Sequence, residues 1–403
     1  MTHNDLIAEA HHHLELLQDL RRKLHQIPEF GLQTPKSLEK VLSAVEGKGE
    51  IHRGTETTWG VVHIKGEHPG PTVLLRADMD ALAVVEDTGL PFASTNGYMH
   101  ACGHDLHMAI GVGATHLLAN HRDRLKGDVI VFFQPGEEGH NGAGRMIEDK
   151  AHLISGSKPI AAYGIHVFSG LAPRGLFLTK PGPMMASAGD MIVTVHGRAG
   201  HGSSPWLSKE PISVMTEIMS SLQTMVTKKF SIFDPVVINV GWVKAGDPHT
   251  TNVIPEEASF GATLRTFSNE NTEGLRTAAK LLAESIAAGY GLTVDVEFSE
   301  HTAVVINSED AAARVERVTK AAFGEDRFMT LPNPMAGAED FAEILNEVGG
   351  SFIFLGATMP GVDFHTADFN HSNRAMFDDS VIADGAALLA LLAIDTLDEA
   401  AAK

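Results

Sequence analysis

Two textures of apolar spacing alternate along the chain. Apolar residues recur at helical spacing over residues 5–26 and predict one helix that stops at Ile27-Pro28-Glu29, where proline withholds the N–H needed to continue. A second helix is expected over 35–45, with Pro35 tolerated in its first turn. Three continuous apolar runs follow, at 72–76, 129–133 and 160–165, separated by helical patterns such as 104–120. Runs of that length read as strands buried on both faces, so the fold class expected is α/β, a mainly parallel sheet covered by helices.

Each run leads into residues able to bind a metal: Asp78 and Asp80, then Glu137 and Glu138, then His166. Ligand sites in open α/β sheets lie at the carboxyl ends of strands, so this threefold coincidence is the strongest pattern in the chain.

From about Ser187 the spacing changes. Residues 191–196 alternate like a half-buried strand, 211–228 form an amphipathic helix, 236–243 and 258–267 read as strands, 271–288 as a helix and 292–298 as a last strand. The order β-α-β-β-α-β is the split βαβ arrangement of a small α+β domain. Because α/β character resumes after residue 300, three stretches are expected: 1–186, an inserted domain at 187–300, and 301–403 completing the first domain. The final stretch holds a helix at 311–323, Gly337-Ala-Glu-Asp-Phe341, a buried strand at 351–355, and a loop with His365 and His371. The apolar run 385–394 closes it, bracketed by Asp384 and Asp395. That run is shorter than the ~20 residues a bilayer demands and is expected to be a buried helix.

Composition narrows the function classes. A chain of 403 residues has room for two domains, and 43 % hydrophobic with 20 % charged residues is ordinary for a soluble protein. A net charge of −20 argues against nucleic acid or an anionic membrane as partner. A single cysteine excludes an internal disulfide and suits a reducing compartment; residues 1–14 lack the apolar core of a signal peptide, so a cytoplasmic location is expected.

That cysteine lies in Met99-His-Ala-Cys-Gly-His-Asp-Leu-His107. Cys102 and His104 form a compact pair of metal ligands, or else a buried free thiol beside solvated histidines; the stretch alone leaves both open. Neighbouring carboxylates at Glu137 and Glu138 cannot easily aim at one point, which points to divided labour: one ligates metal and the other serves as general base, unless the pair is only an acidic loop. The turn Gly197-Arg-Ala-Gly-His-Gly-Ser-Ser204 is too short, and lacks the helix signature, to be a phosphate loop, so nucleotide binding is rejected. Its His201 reads as a donor to a developing oxyanion or as a plain turn residue.

Arg76-Ala-Asp-Met-Asp-Ala-Leu82, Met99-His-Ala-Cys-Gly-His-Asp105, Phe133-Gln-Pro-Gly-Glu-Glu-Gly139, Gly164-Ile-His166, Ala199-Gly-His201, Asn252-Val-Ile-Pro255 and Gly337-Ala-Glu-Asp-Phe341 occur in this order. As a set they resemble the metal-dependent amidohydrolases that include hippurate hydrolase, N-acyl-amino-acid amidohydrolases and plant auxin-conjugate hydrolases, relatives of aminoacylase and carboxypeptidase G. The resemblance runs from Leu20-Arg-Arg-Lys-Leu-His25 to the terminal helix. It implies a zinc-exopeptidase-like catalytic domain with an inserted ferredoxin-like lid through which a homodimer forms. It further implies that Cys102, His104, Glu138, His166 and His371 hold two divalent metal ions, Cys102 in the bridging place. Glu137 is then the general base and Asp80 a carboxylate that orients the site. His201 is implied as the oxyanion donor from the partner subunit, Asn252 and Arg265 as the holders of the substrate carboxylate, and Gly337 as a backbone contributor. His371 is preferred to His365 because His371-Ser-Asn, Phe377-Asp-Asp and Gly385-Ala keep the family's spacing to the last helix. Gly136 and Gly202 stand where alanine is usual, departures that bear on the substrate pocket rather than the metal site.

The function expected is hydrolysis of the amide bond of an N-acyl amino acid. Thiolate and imidazole favour zinc, while the carboxylate admits manganese, cobalt or nickel. The rivals are a dipeptidase or aminopeptidase on the same scaffold, a cysteine hydrolase using Cys102 with His104, and a metal-binding protein without turnover.

Overall fold

In the computed structural model, which describes residues 3–402, the three apolar runs lie in one eight-stranded sheet. Its first six strands in chain order are β1 (Glu50–Arg53), β2 (Gly60–Ile64), β3 (His68–Asp78), β4 (Lys126–Gln134), β5 (Ala161–Phe168) and β6 (Phe177–Thr179). Side by side the order is β1, β2, β4, β3, β5, then Gly350–Gly356, β6 and Phe328–Thr330. The centre is parallel: β3 pairs parallel with β4 and β5, and β5 with Gly350–Gly356, while β1–β2, β2–β4 and the pairing of β6 to Gly350–Gly356 are antiparallel. Every residue of β5 and of Gly350–Gly356 is buried, which is why these segments carry apolar residues without alternation.

The single helix expected over 5–26 is two, α1 (His3–His12) and α2 (Leu14–His25). Between them His13 stays in the right-handed region but its ψ opens to −7°, while its N–H still reaches Glu9 O at 3.2 Å and its carbonyl still accepts Leu17 N–H at 3.1 Å. After α3 (Pro35–Ala44), α4 (His104–Asn120) buries nearly its whole length, with Leu106, Met108 and Val112 sealed in the core. The terminal helix Ile382–Ala401 packs on α4 and β3. It is longer than the run seen in the sequence, and by length and composition it reaches what a bilayer crossing needs; yet 78 % of its most apolar window is buried inside the protein, as a core helix is.

Two compact units divide the chain: Met1–Met184 with Ile306–Asn333 and Asp340–Lys403, and Met185–Val305 with Pro334–Glu339. Pro334–Glu339, expected in the closing catalytic stretch, counts with the small unit because Ala186 N donates to Met335 O and Gly337 O, both at 3.0 Å. The small unit has an antiparallel sheet in the order Val236–Ala245, Glu257–Thr266, Gly189–His196, Thr293–Phe298. With helices Pro211–Lys229 and Asn269–Gly289 this is a ferredoxin-like βαββαβ unit. Its core joins Val193, Val195 and Phe260 of the sheet to Ile218, Leu222 and Leu275 of the helices.

Candidate metal centre

The centre is assembled by the ends of β3, β4 and β5, the start of α4 and the loop before the terminal helix. Gly103, with φ +90°, turns the chain into α4 so that Cys102 and His104 flank the first turn. A Cβ on Gly103 would lie 2.5 Å from Val167 Cγ2, so only glycine fits between α4 and β5.

Cys102 Sγ is 3.3 Å from His166 Nε2 and 3.3 Å from His371 Nε2. His371 Nε2 lies 3.3 Å from Glu138 Oε1, and His104 Nε2 is 3.9 Å from Glu137 Oε2. Among the groups the donor atoms form, each with all atoms within 4.8 Å, are Cys102/His104/His166, Cys102/Glu138/His371 and His104/Glu137/Glu138, which overlap one another. Cys102 belongs to two of them. His365 is exposed and lies against Phe364, so it is His371 that meets Cys102.

Hydrogen bonds fix how the donors point. His104 Nδ1–H donates to Asp80 O at 2.9 Å and His166 Nδ1–H to Val167 O at 2.9 Å, which turns both Nε2 lone pairs inward. Asp80, fully buried, accepts Glu137 N–H on Oδ1 at 2.9 Å and Glu138 N–H on Oδ2 at 3.0 Å. One carboxylate therefore positions His104 through its main chain and both glutamates through its side chain. His371 has φ +73°, unusual for a residue with a Cβ, and its N–H donates to Ala101 O at 2.9 Å.

Several positioning residues escaped the sequence reading. Asn370 donates to Cys102 O at 3.1 Å and Val167 O at 3.0 Å, and accepts Ser169 N–H at 2.9 Å, tying three segments of the site together. His107 donates from Nδ1 to Asp78 Oδ1 at 2.6 Å and accepts Val167 N–H on Nε2 at 2.8 Å, which pins β5 beside His166. Arg76 pairs with Asp78 and, at 2.9 Å, with Asp340 beneath. Asparagine just before His371 and histidine three after His104 were the available signals, but hydrogen bonds to remote carbonyls leave no spacing to read.

The donor set fits divalent cations. His104 Nε2 is sealed from solvent and makes no hydrogen bond among the described residues, a costly state that a cation relieves. Burial, followed by the charge of Glu138, pushes the Cys102 thiol up. Burial, reinforced by His107, holds His166 well below the usual histidine range and keeps it neutral. Burial opposes charge on His104, but Asp78 and the bond to Asp80 outweigh it and hold that ring well above its usual range. The hydrogen bond to Cys102, then that to Glu138, pushes His371 up to about 10. Protons thus sit where cations would displace them.

The remaining expected residues belong to the small unit. Gly200–His201 pairs antiparallel with Val253–Ile254, and Gly202 N donates to Asn252 O at 2.7 Å, so His201 and Asn252 flank one short ladder. His201 is exposed, and its Nδ1 accepts from Ser203 N at 3.2 Å and Ser203 Oγ at 2.9 Å. Arg265 is half-buried on Glu257–Thr266, donating to Thr263 Oγ1 and Leu264 O, each at 2.8 Å. Gly337 is exposed, with the methyl end of Met185 as its neighbour.

The sequence profile described as "Peptidase family M20/M25/M40" matches residues 74–395. The chain belongs to this family. Among its relatives, the N-acetylcysteine deacetylase of Bacillus subtilis is 33 % identical over 97 % of this chain and 100 % of its own length. Thermostable carboxypeptidase 1 of Saccharolobus solfataricus is 32 % identical over 97 % of this chain and 98 % of its own. A solved Bacillus subtilis structure described as a dinuclear metal binding peptidase from the M20 family has a TM-score of 0.81 at 29 % identity, covering 96 % of this chain and 98 % of its own. This M20 protein is accordingly a hydrolase of amide bonds, and its residues offer a site for two metal ions, as the grouping around Cys102 shows.

Proposed function

We propose that the protein hydrolyses N-acyl amino acids to a carboxylic acid and a free amino acid, with Cys102, His104, Glu138, His166 and His371 as the ligands of two divalent ions. The observation that carries this reading is Cys102 Sγ, 3.3 Å from both His166 Nε2 and His371 Nε2 and common to two donor groups. Relatives named as N-acetylcysteine and N-acetyldiaminopimelate deacetylases support the substrate class.

When bound, a pair of divalent cations polarises the scissile carbonyl and makes water more acidic. Glu137, next to the ligand Glu138 and held by Asp80, takes a proton from the attacking water and delivers it to the leaving amine nitrogen. His201, with Nδ1 occupied as an acceptor, carries its proton on Nε2 and donates to the oxyanion. Arg265, with Asn252, receives the carboxylate of the substrate's amino-acid half, which suits a planar fork of donors. Gly337 contributes a backbone group.

The small unit is the lid, and a homodimer forms through it. Its edge strand Val236–Ala245 exposes Val237, Trp242 and Val243, an unpaired edge with large apolar side chains. Zinc is the ion favoured by thiolate and imidazole, with manganese, cobalt and nickel admitted by the carboxylate. The lone cysteine and net charge of −20 suit the cytoplasm.

A cysteine nucleophile is disfavoured, since burial and Glu138 push the Cys102 thiol up rather than down. The deciding experiment assays N-acetyl and N-benzoyl amino acids against free dipeptides after reconstitution with each metal. Turnover of the acylated compounds, abolished by chelation and restored by metal, is expected; turnover of dipeptides alone overturns the substrate class, and turnover that survives chelation overturns the mechanism.

A further inference from the structure

A second cluster of donors lies at the edge of the principal sheet, outside the centre described above. In the antiparallel pairing of β1 with β2, Glu50 sits directly opposite His63, and His52, two residues along β1, projects from the same face. One donor atom from each of the three, a carboxylate oxygen and two ring nitrogens, lies within 4.8 Å of the others. None of these residues takes part in the amide-hydrolysing site.

We propose that Glu50, His52 and His63 bind a single borderline divalent cation of the zinc class, separate from the dinuclear pair. Three features bear on it besides the convergence. His52 Nε2 is shielded from solvent and makes no hydrogen bond among the described residues; its nearest acidic neighbour is Glu50 Oε1 at 3.5 Å. His63 is 4 % exposed, and its Nε2 lies 2.7 Å from Asp128 Oδ2, whose other oxygen accepts Gly66 N–H at 3.3 Å. An anchored carboxylate of this kind is the usual partner of a metal-binding imidazole, fixing the ring and its tautomer. Two nitrogens and one oxygen match zinc, nickel, cobalt or copper, whereas magnesium and calcium call for oxygen throughout.

The site opens outward, since the side chains of Glu50 and His52 are 57 % and 30 % exposed, so water completes the coordination. Lys65 Nζ, 3.7 Å from Glu50 Oε2, makes an exposed pair that a cation displaces at little cost. The consequence is structural. β1 is a four-residue strand at the sheet edge, and a cation held by β1 and β2 together staples that edge in place.

The test loads the enzyme with zinc by dialysis at micromolar free metal and counts zinc per chain by mass spectrometry. Wild type is expected to keep one zinc more than His52→Ala and than Glu50→Gln, while all three turn over substrate equally. Zinc should also raise the Tm of wild type more than that of His52→Ala. The triple replacement His11→Ala, His12→Ala, His13→Ala removes a rival surface histidine cluster and is expected to retain the additional ion. Equal zinc content in wild type and both single variants overturns the proposal, as does loss of the additional ion only in the triple variant.

Discussion

Asp80 holds Glu138 by its main chain, Oδ2 accepting the Glu138 N–H at 3.0 Å while Oδ1 takes that of Glu137 at 2.9 Å. Two adjacent glutamates are thus referred to one buried carboxylate. Asp80→Asn replaces one acceptor oxygen with a donor that faces an N–H, so one glutamate loses its tether. Activity or metal affinity is expected to fall about 10–100-fold, the usual effect of disturbing a residue that orients ligands. Steady-state kinetics at saturating metal, with a metal titration, separates the two; wild-type values in both would remove Asp80 from the site's support.

Gly103→Ala tests the turn that delivers Cys102 and His104. At φ +90°, with a Cβ 2.5 Å from Val167 Cγ2, alanine meets both a strained backbone and an occupied space. Left-handed strain costs about 1–3 kcal/mol and overpacking about the same again. A lower denaturation midpoint is expected, together with weaker metal retention because the clash pushes α4 away from β5. A midpoint within error of wild type would contradict this account.

The sequence made the centre legible where chemistry coincides with strand ends: Asp80, Glu137 with Glu138, and His166 all follow or close buried apolar runs. It hid what is made by pairing. Glu50-Ile-His-Arg is too polar to announce β1, which owes its existence to the register with β2 rather than to its own spacing. Asn370 reaches the carbonyls of Cys102 and Val167, contacts between segments far apart in the chain. Pro334–Glu339 joins the small unit through the bonds to Ala186, which no composition shift betrays. His13, mid-pattern in the expected first helix, interrupts it without any proline or glycine.

His25, outside the proposed ligand set, gives a pH prediction. Its Nδ1 is 2.8 Å from Asp105 Oδ2 and its Nε2 3.2 Å from Glu86 Oε1. Burial opposes its charge, but Asp105 and Glu86 prevail and raise its pKa. A group raised in the folded state contributes its full stability below the unfolded value of about 6.5, and that contribution fades as pH climbs through the folded value. The stability difference between wild type and His25→Asn should therefore shrink as pH rises from about 6 to about 9. Urea unfolding across that range reads it, and a difference that grows with pH would reverse the assignment.

His201→Ala tests the proposed oxyanion role. Because Ser203 N–H donates to His201 Nδ1 at 3.2 Å, the neutral ring keeps its proton on Nε2, the form able to stabilise an oxyanion. His201→Ala is expected to lower kcat about 100- to 1000-fold with little change in KM, since the oxyanion exists only at the transition state. Unchanged kcat would dismiss the role. If the histidine serves the partner's site, Glu137→Gln and His201→Ala subunits complement one another: a mixed dimer places both defects in one site and leaves the other intact. Refolding the two inactive variants together should then recover about a quarter of wild-type activity, because random pairing makes half the dimers mixed and each has one working site. If His201 serves its own subunit, every site in every dimer carries a defect and the mixture stays inactive.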